Sequence, residues 1–316
     1  MTEFLQITVG VLTLASVYVL IAVGWNVVFA VTGVLNLAQG EFFMIGGIVL
    51  ATNADRGLPI AVALALLAPF GVALLTEIAL LRPMAKRGRV FQQVIITLSL
   101  AIFLRELVAW VVGPDPLFGP VLAPEGGTVE IFGAFVLRQA VLLWFVTVVV
   151  GVGLWVLFAR TALGAAMRAC AESPEGAATI GLSLTRLRLV ALGLAGLLGG
   201  LAGVLLAAMT PVAFNSGAFV GIKGFMAAAI GGLGFIGGGF VGSVLLAALE
   251  GYFAGYVSDT YRDVLVYGVL IAVVMIRPNG LFGRGRLTGR RRQRGGGDIE
   301  ATVLAAGGSE PLSSQR

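Results

Sequence analysis

Long apolar stretches separated by short polar ones dominate the hydrophobic pattern of the chain. A transmembrane helix needs about 20 mainly apolar residues to cross the hydrocarbon layer. Stretches that reach or approach this length are residues 4–29, 35–52, 59–81, 90–112, 139–158 and 187–209. A Gly-rich stretch, 223–254, is long enough for two short passes, and 264–276 follows it. The pattern predicts an all-α, polytopic membrane protein of about eight or nine transmembrane or re-entrant helices.

The composition agrees with a chain that is surrounded by lipid. Charged residues make up 12% of the chain, whereas a soluble domain carries about 25%. The 46 glycines suit membrane helices, because small residues let helix backbones approach closely. Histidine is absent and Cys170 is the single cysteine, so a zinc site or a Ser-His-Asp triad cannot be assembled. We therefore expect no catalytic residues, no metal and no cofactor in this chain.

The basic residues between the apolar stretches predict the orientation of the chain. They cluster at 82–89, 160–188 and 284–294, and the loops richest in Lys and Arg are usually cytoplasmic. The Pro- and Gly-rich loop 113–138 should then be external. Residues 1–284 form the predicted membrane domain, and the Arg-rich tail 285–316 is predicted to be a disordered cytoplasmic segment. No aromatic residues interleave its arginines, so we expect it to contact lipid headgroups and no nucleic acid.

The basic loop 160–188 contains the signals of a short exposed helix. Ser173 can cap it, Pro174 suits its first position, and Glu175 lies in the first turn, where the helix dipole favours a negative charge. Gly181 can close the other end. Two interpretations are open at this point: an ordinary helix on the membrane surface, or a coupling helix that docks on a cytoplasmic partner.

Four motifs, in this order, resemble those of one transporter family. They are Gly33 to Glu41 (GVLNLAQGE), Leu81-Arg82-Pro83, the Gly-rich stretch 227–250, and RPNGLFG at 277–283. Together they cover nearly the whole membrane part, and the chain resembles permeases of the ATP-binding-cassette (ABC) importers for branched-chain amino acids, of the LivH type. Two positions depart from the family pattern: Gln39 stands where His is frequent, and 237–239 is Gly-Gly-Gly where a Pro-containing turn is common.

The resemblance implies a membrane subunit of an ATP-driven importer of branched-chain amino acids in the cell inner membrane. It implies three kinds of partner: a second permease subunit (a copy or a relative), two cytoplasmic ABC ATPase subunits, and an external substrate-binding protein. The short helix is then the coupling helix, and the residues expected to contact the ATPase are Glu172, Ser173, Pro174, Glu175, Ala178 and Gly181. The only lysines, Lys86 and Lys223, complete no ATP-binding loop, so hydrolysis would belong to the partner subunits.

Polar residues inside an apolar stretch are costly and therefore mark candidate positions on a transport pathway. Asn36, Gln39 and Glu41 lie in the second stretch and are our candidates for the translocation pathway. The alternative is that Asn36 and Gln39 hydrogen-bond a neighbouring helix or a broken-helix backbone. Near the end of the third stretch, Glu77 is expected to pair with Arg82.

Glycines recur at helical spacing in two late segments. The run 232–237 matches G-x-G-x-x-G, but its apolar flanks favour close helix contacts or a kinked turn over a dinucleotide site. The same packing role is predicted for four glycines of the sixth stretch, which are Gly196, Gly199, Gly200 and Gly203.

Other functions stay open from the sequence. The same machinery could carry urea, amides or other small solutes. An ion-coupled secondary transporter would need a mid-membrane carboxylate, and only Glu41 or Glu250 could supply it. A membrane scaffold without transport activity is the third alternative.

Overall fold

Long apolar helices and two shorter apolar helices make up most of the described chain. A computed structural model describes residues 2–85, 90–123, 127–131, 133–277 and 279–283. Six helical segments in this part are long and apolar enough to cross a bilayer, which are Glu3–Thr32, Leu58–Met84, Phe91–Val111, Arg138–Arg160, Leu184–Leu206 and Ile236–Tyr256. Gln39–Thr52 and Ser216–Gly231 are shorter apolar helices. The prediction of an all-α, polytopic membrane protein is confirmed, and six helices have the length of a full crossing.

The elements follow one another with short connections. In chain order they are α1 (Thr2–Thr32), α2 (Gln39–Thr52), α3 (Leu58–Leu75), α4 (Arg82–Ala85), α5 (Val90–Val111), β1 (Thr128–Ile131), β2 (Ala134–Leu137), α6 (Arg138–Arg160), α7 (Ala162–Glu172), α8 (Pro174–Thr179), α9 (Leu184–Leu206), α10 (Ser216–Gly231), α11 (Ile236–Tyr256) and α12 (Arg262–Ile276). A π-helical turn, Thr76–Leu81, joins α3 to α4. The antiparallel hairpin of β1 and β2 lies within the predicted loop 113–138 and was not expected from the sequence. The predicted tail 285–316 lies outside the described residues.

Helices α1 and α9 form the centre of the bundle. In the most apolar 18 residues of each helix, 61% of the residues are buried in α1 and 67% in α9, but only 17% in α5. Helix α1 packs against α11, α9 and α10, while α9 packs against α2, α3 and α1. The outer faces of the peripheral helices are apolar and exposed, as expected for surfaces that contact lipid.

Glycines allow the central helices to approach to backbone contact, as predicted. A Cβ atom at Gly203 of α9 would meet the carbonyl oxygen of Phe43 and would lie 2.8 Å from the backbone nitrogen of Gly47. In the run 232–237, Gly232 and Gly234 have φ values of 112° and 81° and form the turn between α10 and α11. Both positions need glycine, because other residues rarely adopt this conformation.

The chain contains two halves with the same order of elements. Helices α1, α2, α3 and α5 correspond to α9, α10, α11 and α12. In each half an irregular segment (33–38 or 207–215) separates a central long helix from a short helix. The packing is equivalent too: α3 packs on α9 as α11 packs on α1, and α5 contacts α2 as α12 contacts α10.

The two halves run in opposite directions. Helix α1 begins beside the hairpin, where the side-chain amide of Gln6 exchanges hydrogen bonds with the backbone of Phe135 at 3.1 and 3.2 Å. Helix α9 begins at the opposite end, directly after α8, and ends near the hairpin, where the Leu205 carbonyl accepts from Gln139 Nε2 at 3.0 Å. The halves therefore form an inverted repeat, an architecture found in many transporters.

Candidate functional site

Helices α2 and α10, the two shorter apolar helices, begin beside each other inside the bundle. Gly40, in the first turn of α2, faces Gly217 and Gly221 of α10, and a Cβ atom at Gly221 would lie 2.6 Å from the Cα atom of Gly40. Gln39 Nε2 donates to the carbonyl of Ala195 at 3.0 Å, and Ala195 is at the midpoint of α9. The first turns of α2 and α10 thus meet near mid-depth, where their N–H groups give the site a partial positive charge.

All three residues predicted for the pathway lie at this point. Asn36, Gln39 and Glu41 are 2%, 0% and 1% exposed. The Oδ1 atom of Asn36 accepts from the Ala38 amide at 3.2 Å, so Asn36 and Gln39 do bond backbone groups, as the alternative interpretation holds. Each of the three nevertheless has one buried atom without a hydrogen-bond partner in the described chain: Asn36 Nδ2, Gln39 Oε1 and Glu41 Oε2. Such atoms mark a place that a polar ligand or water can satisfy.

Arg105 of α5 completes this cluster, and sequence reasoning did not find it as a site residue. Its Nη2 atom donates to Glu41 Oε1 at 3.1 Å, and its side chain is 27% exposed while that of Glu41 is almost fully buried. Two turns earlier, Thr97 Oγ1 accepts from the Leu37 amide at 3.1 Å. Arg105 could have been identified from the sequence, because the helical spacing of Gln93, Thr97 and Arg105 places these polar residues on one face of α5.

A second buried charge pair lies near the start of α9. Arg188 Nε is 3.2 Å from Glu77 Oε1, and Arg188 Nη2 donates to Gln93 Oε1 at 3.2 Å. The expected pairing of Glu77 with Arg82 is therefore wrong, since the ion pair of Glu77 is with Arg188. Glu77 lies in the π-helical turn, whose altered register presents its carboxylate to α9 instead of to the next turn of its own helix.

A third cluster joins α1, α10, α11 and α12. Glu250 Oε1 accepts from Lys223 Nζ at 2.6 Å and is 3.3 Å from Arg262 Nε, while Glu250 Oε2 accepts from the Tyr18 hydroxyl at 2.7 Å. Lys223 is also 3.1 Å from Asp263 Oδ1. The sequence had left the partners of Glu250 and Lys223 undetermined, because they are distant along the chain.

The short helix α8 has the features that the sequence predicted. Ser173 Oγ accepts from the Gly176 amide at 3.0 Å, Pro174 occupies the first position, and Gly181 has a φ of 83°. Ala177 is 2% exposed and fixes α8 to the bundle. All six residues predicted to contact the ATPase are exposed, namely Glu172, Ser173, Pro174, Glu175, Ala178 and Gly181. They form an exposed surface at this end of the bundle.

The preceding helix, α7, attaches this surface to the bundle. It packs against α6, α1 and α9, and its Cys170 is buried. Burial raises the pKa of the Cys170 thiol, so the thiol stays protonated and poorly reactive at neutral pH.

These features define a multi-pass membrane protein of the transport class, with broken helices that meet inside an inverted repeat. The family described as the permease component of the branched-chain amino acid transport system matches residues 7–274, and the chain belongs to that family. The resemblance inferred from the motifs is thereby confirmed.

The chain is similar over most of its length to several known permeases. It is 32% identical over 298 residues to the high-affinity branched-chain amino acid transport system permease protein BraD of Pseudomonas aeruginosa, covering 89% of this chain and 96% of that protein. It is 29% identical over 298 residues to LivH of Escherichia coli, with the same coverage. The probable permease LivH of Methanocaldococcus jannaschii is 29% identical over 293 residues, covering 87% and 91%. No solved structure matches the chain.

Proposed function

We propose that this chain is a permease subunit of an ABC importer in the inner membrane and that it carries branched-chain amino acids into the cell. The observation that carries the proposal is the meeting of α2 and α10 at three buried residues with unpartnered polar atoms, in a member of this permease family. Broken helices that meet near mid-membrane form the substrate sites of many transporters.

The site offers partners to both ends of a zwitterion. The carboxylate of the amino acid would bind Arg105 and the first turns of α2 and α10, and its ammonium group would bind Glu41 Oε2 and Gln39 Oε1. Phe42 and Met44, the buried residues one and three positions after Glu41 on α2, would supply apolar surroundings for an aliphatic side chain. Glu41 pairs with Arg105, and Glu250 pairs with Lys223.

The proposed orientation places the hairpin outside and α7–α8 in the cytoplasm. The basic residues Arg160, Arg168 and Arg186 lie within α7 or beside α7 and α8, in agreement with the positive-inside rule. Helix α8 would dock on one of two ATPase subunits, and the external face with loop 113–138 would receive the substrate-binding protein. A second permease subunit, a copy or a relative, would complete the transporter.

Uptake by membrane vesicles tests this proposal. Vesicles that contain the chain and its partner subunits should accumulate labelled leucine, isoleucine and valine when ATP is supplied, even after a protonophore and an ionophore have collapsed the ion gradients. Accumulation should stop when the ATPase subunit is inactivated. Uptake that follows the ion gradients would overturn the proposal, and accumulation of urea or acetamide in place of leucine would overturn the substrate assignment.

Glu41→Gln is expected to lower the initial rate of leucine uptake at least about tenfold. The neutral amide removes the charge that would bind the ammonium group of the substrate, and a loss of 1.4 kcal/mol corresponds to a factor of ten. The rate should be measured at equal amounts of chain in the membrane. Glu106→Gln is the matched control, because Glu106 is the exposed neighbour of Arg105 on α5. Equal rates for the two variants would remove Glu41 from the pathway.

A further inference from the structure

Helices α5 and α12 are equivalent members of the two halves, and both are loosely packed. Helix α5 packs mainly against α2, the π-helical turn and α4, whereas α12 packs against α11 and α10. Val266 is the one buried residue of α12. The first turns of both helices make polar contacts with the rest of the bundle, and α5 is also held further along by the Arg105–Glu41 pair.

At the α8 end of the bundle, Arg188 holds the beginning of α5. Its guanidinium bonds Gln93 in the first turn of α5 and pairs with Glu77 of the π-helical turn. Neither oxygen of Glu77 makes a well-aligned hydrogen bond with a described residue, so charge, and not directional bonding, maintains the pair. Arg188 lies in the second turn of the helix that follows α8. Only residues 180–183 separate α8 from the helix that carries this contact.

At the hairpin end, Glu250 holds the beginning of α12. Arg262 and Asp263 are the first two residues of α12, and Arg262 pairs with Glu250 while Asp263 pairs with Lys223. Glu250 also accepts from Tyr18 of α1. The beginning of α12 is thus connected to α1 and α11 through the buried Glu250 carboxylate, and to α10 through the Lys223–Asp263 pair.

The two contacts lie on opposite sides of the candidate site, at nearly equal distances from it. Gln39 bonds Ala195 of α9 and packs against Gly24 of α1. Arg188 precedes Ala195 by about 10 Å along α9, and Tyr18 precedes Gly24 by about 9 Å along α1, at 1.5 Å per residue. Because α1 and α9 run in opposite directions, the contacts close the site from opposite ends.

We propose that α5 and α12 are the inner and outer gates of the permease, and that Arg188 and Glu250 are the positioning residues that hold them closed. This inference rests on the proposed function and its orientation. Separation of Arg188 from Glu77 and Gln93 frees the cytoplasmic end of α5 and opens the site inward. Separation of Arg262 from Glu250, together with separation of Asp263 from Lys223, frees the external end of α12 and opens the site outward. With both contacts formed, the site is closed on both sides.

Side-specific labelling tests the two gates. Ala38→Cys, in a Cys170→Ser background, places one thiol at a fully buried position between Asn36 and Gln39. The chain is expressed with its partner subunits, and a membrane-impermeant maleimide is added to right-side-out or inside-out vesicles. Glu77→Gln should raise the labelling rate at least tenfold from the cytoplasmic side only. Glu250→Gln should raise it to a similar extent from the external side only.

Two further pairs of variants separate gating from general loosening of the bundle. Arg188→Gln and Arg262→Gln should reproduce the inner and outer effects, and they decide the result if a glutamate variant does not reach the membrane. The exchanged pair Glu77→Arg with Arg188→Glu should return cytoplasmic labelling toward that of the parent. Glu106→Gln, on the exposed face of α5, should leave both rates unchanged.

The results distinguish failure of the proposed gates from failure of the proposed function. Labelling that rises equally from both sides, or does not rise although the variants are inserted, overturns the gates. If the parent chain also accumulates leucine with ATP, the proposed function stands without them. Side-specific labelling in a chain whose uptake follows ion gradients would instead retain the gates and overturn the energy source.

Discussion

A chain that lacks residues 173–181 is expected to insert in the membrane but to lose ATP-driven uptake entirely. Helix α8 has six residues and only Ala177 is buried, so its removal takes away little of the packed bundle. In the parent chain, the exposed surface of α8 would be the docking site of the ATPase subunit. Loss of leucine uptake in vesicles and loss of ATPase co-purification are the two measurements.

A single substitution narrows this test to the docking surface. Glu175→Arg reverses the exposed charge in the first turn of α8, where the helix dipole favours an acidic residue, and it should weaken ATPase co-purification severely. The matched control for ATPase co-purification is Glu130→Arg, on an exposed strand at the opposite end of the bundle. Persistence of both uptake and ATPase assembly in the deletion variant would show that α8 is an ordinary surface helix.

Gly203→Val is expected to prevent the central helices from assembling. Its side chain would meet the backbone of Phe43 and Gly47, and backbone atoms cannot rotate out of the way. Overpacking against movable side chains already costs about 1–3 kcal/mol, so a larger loss of stability is expected here. The measurement is the fraction of detergent-extracted chain that elutes as a single symmetrical peak, together with its melting temperature.

Gly71→Val supplies the control for the glycine prediction. Gly71 lies in α3, also a long apolar helix, but a Cβ atom there would meet nothing within 4 Å. Both variants add the same β-branched side chain to a helix and therefore share its effect on helix propensity. If both variants elute and melt alike, the close approach of α9 to α2 is not required for assembly.

The positions of the long helices could be predicted because the need to span hydrocarbon leaves a strong signal. Apolar stretches predicted α6 at 139–158 and α5 at 90–112, and the helices are Arg138–Arg160 and Val90–Val111. The second stretch, 35–52, was predicted as one span, but its helix begins only at Gln39. Hydropathy does not report this break, because the irregular segment before it contains Leu35 and Leu37 and is as apolar as the helix.

The candidate site was predictable only in part. Asn36, Gln39 and Glu41 were found because polar groups are rare and costly in apolar spans. Their meeting with α10 and Arg105 depends on contacts between residues far apart in the chain, which a single sequence does not encode locally. For the same reason, a nearby partner was expected for Glu77 in place of Arg188.

The inverted repeat has a consequence for the energetics of transport. Two halves of similar build but opposite direction can exchange conformations, and that exchange converts a form open on one side into a form open on the other. The two forms then contain similar contacts and differ little in intrinsic free energy. Such a membrane subunit has no preferred direction of its own, and its companions impose the vectorial bias by binding one form more tightly than the other.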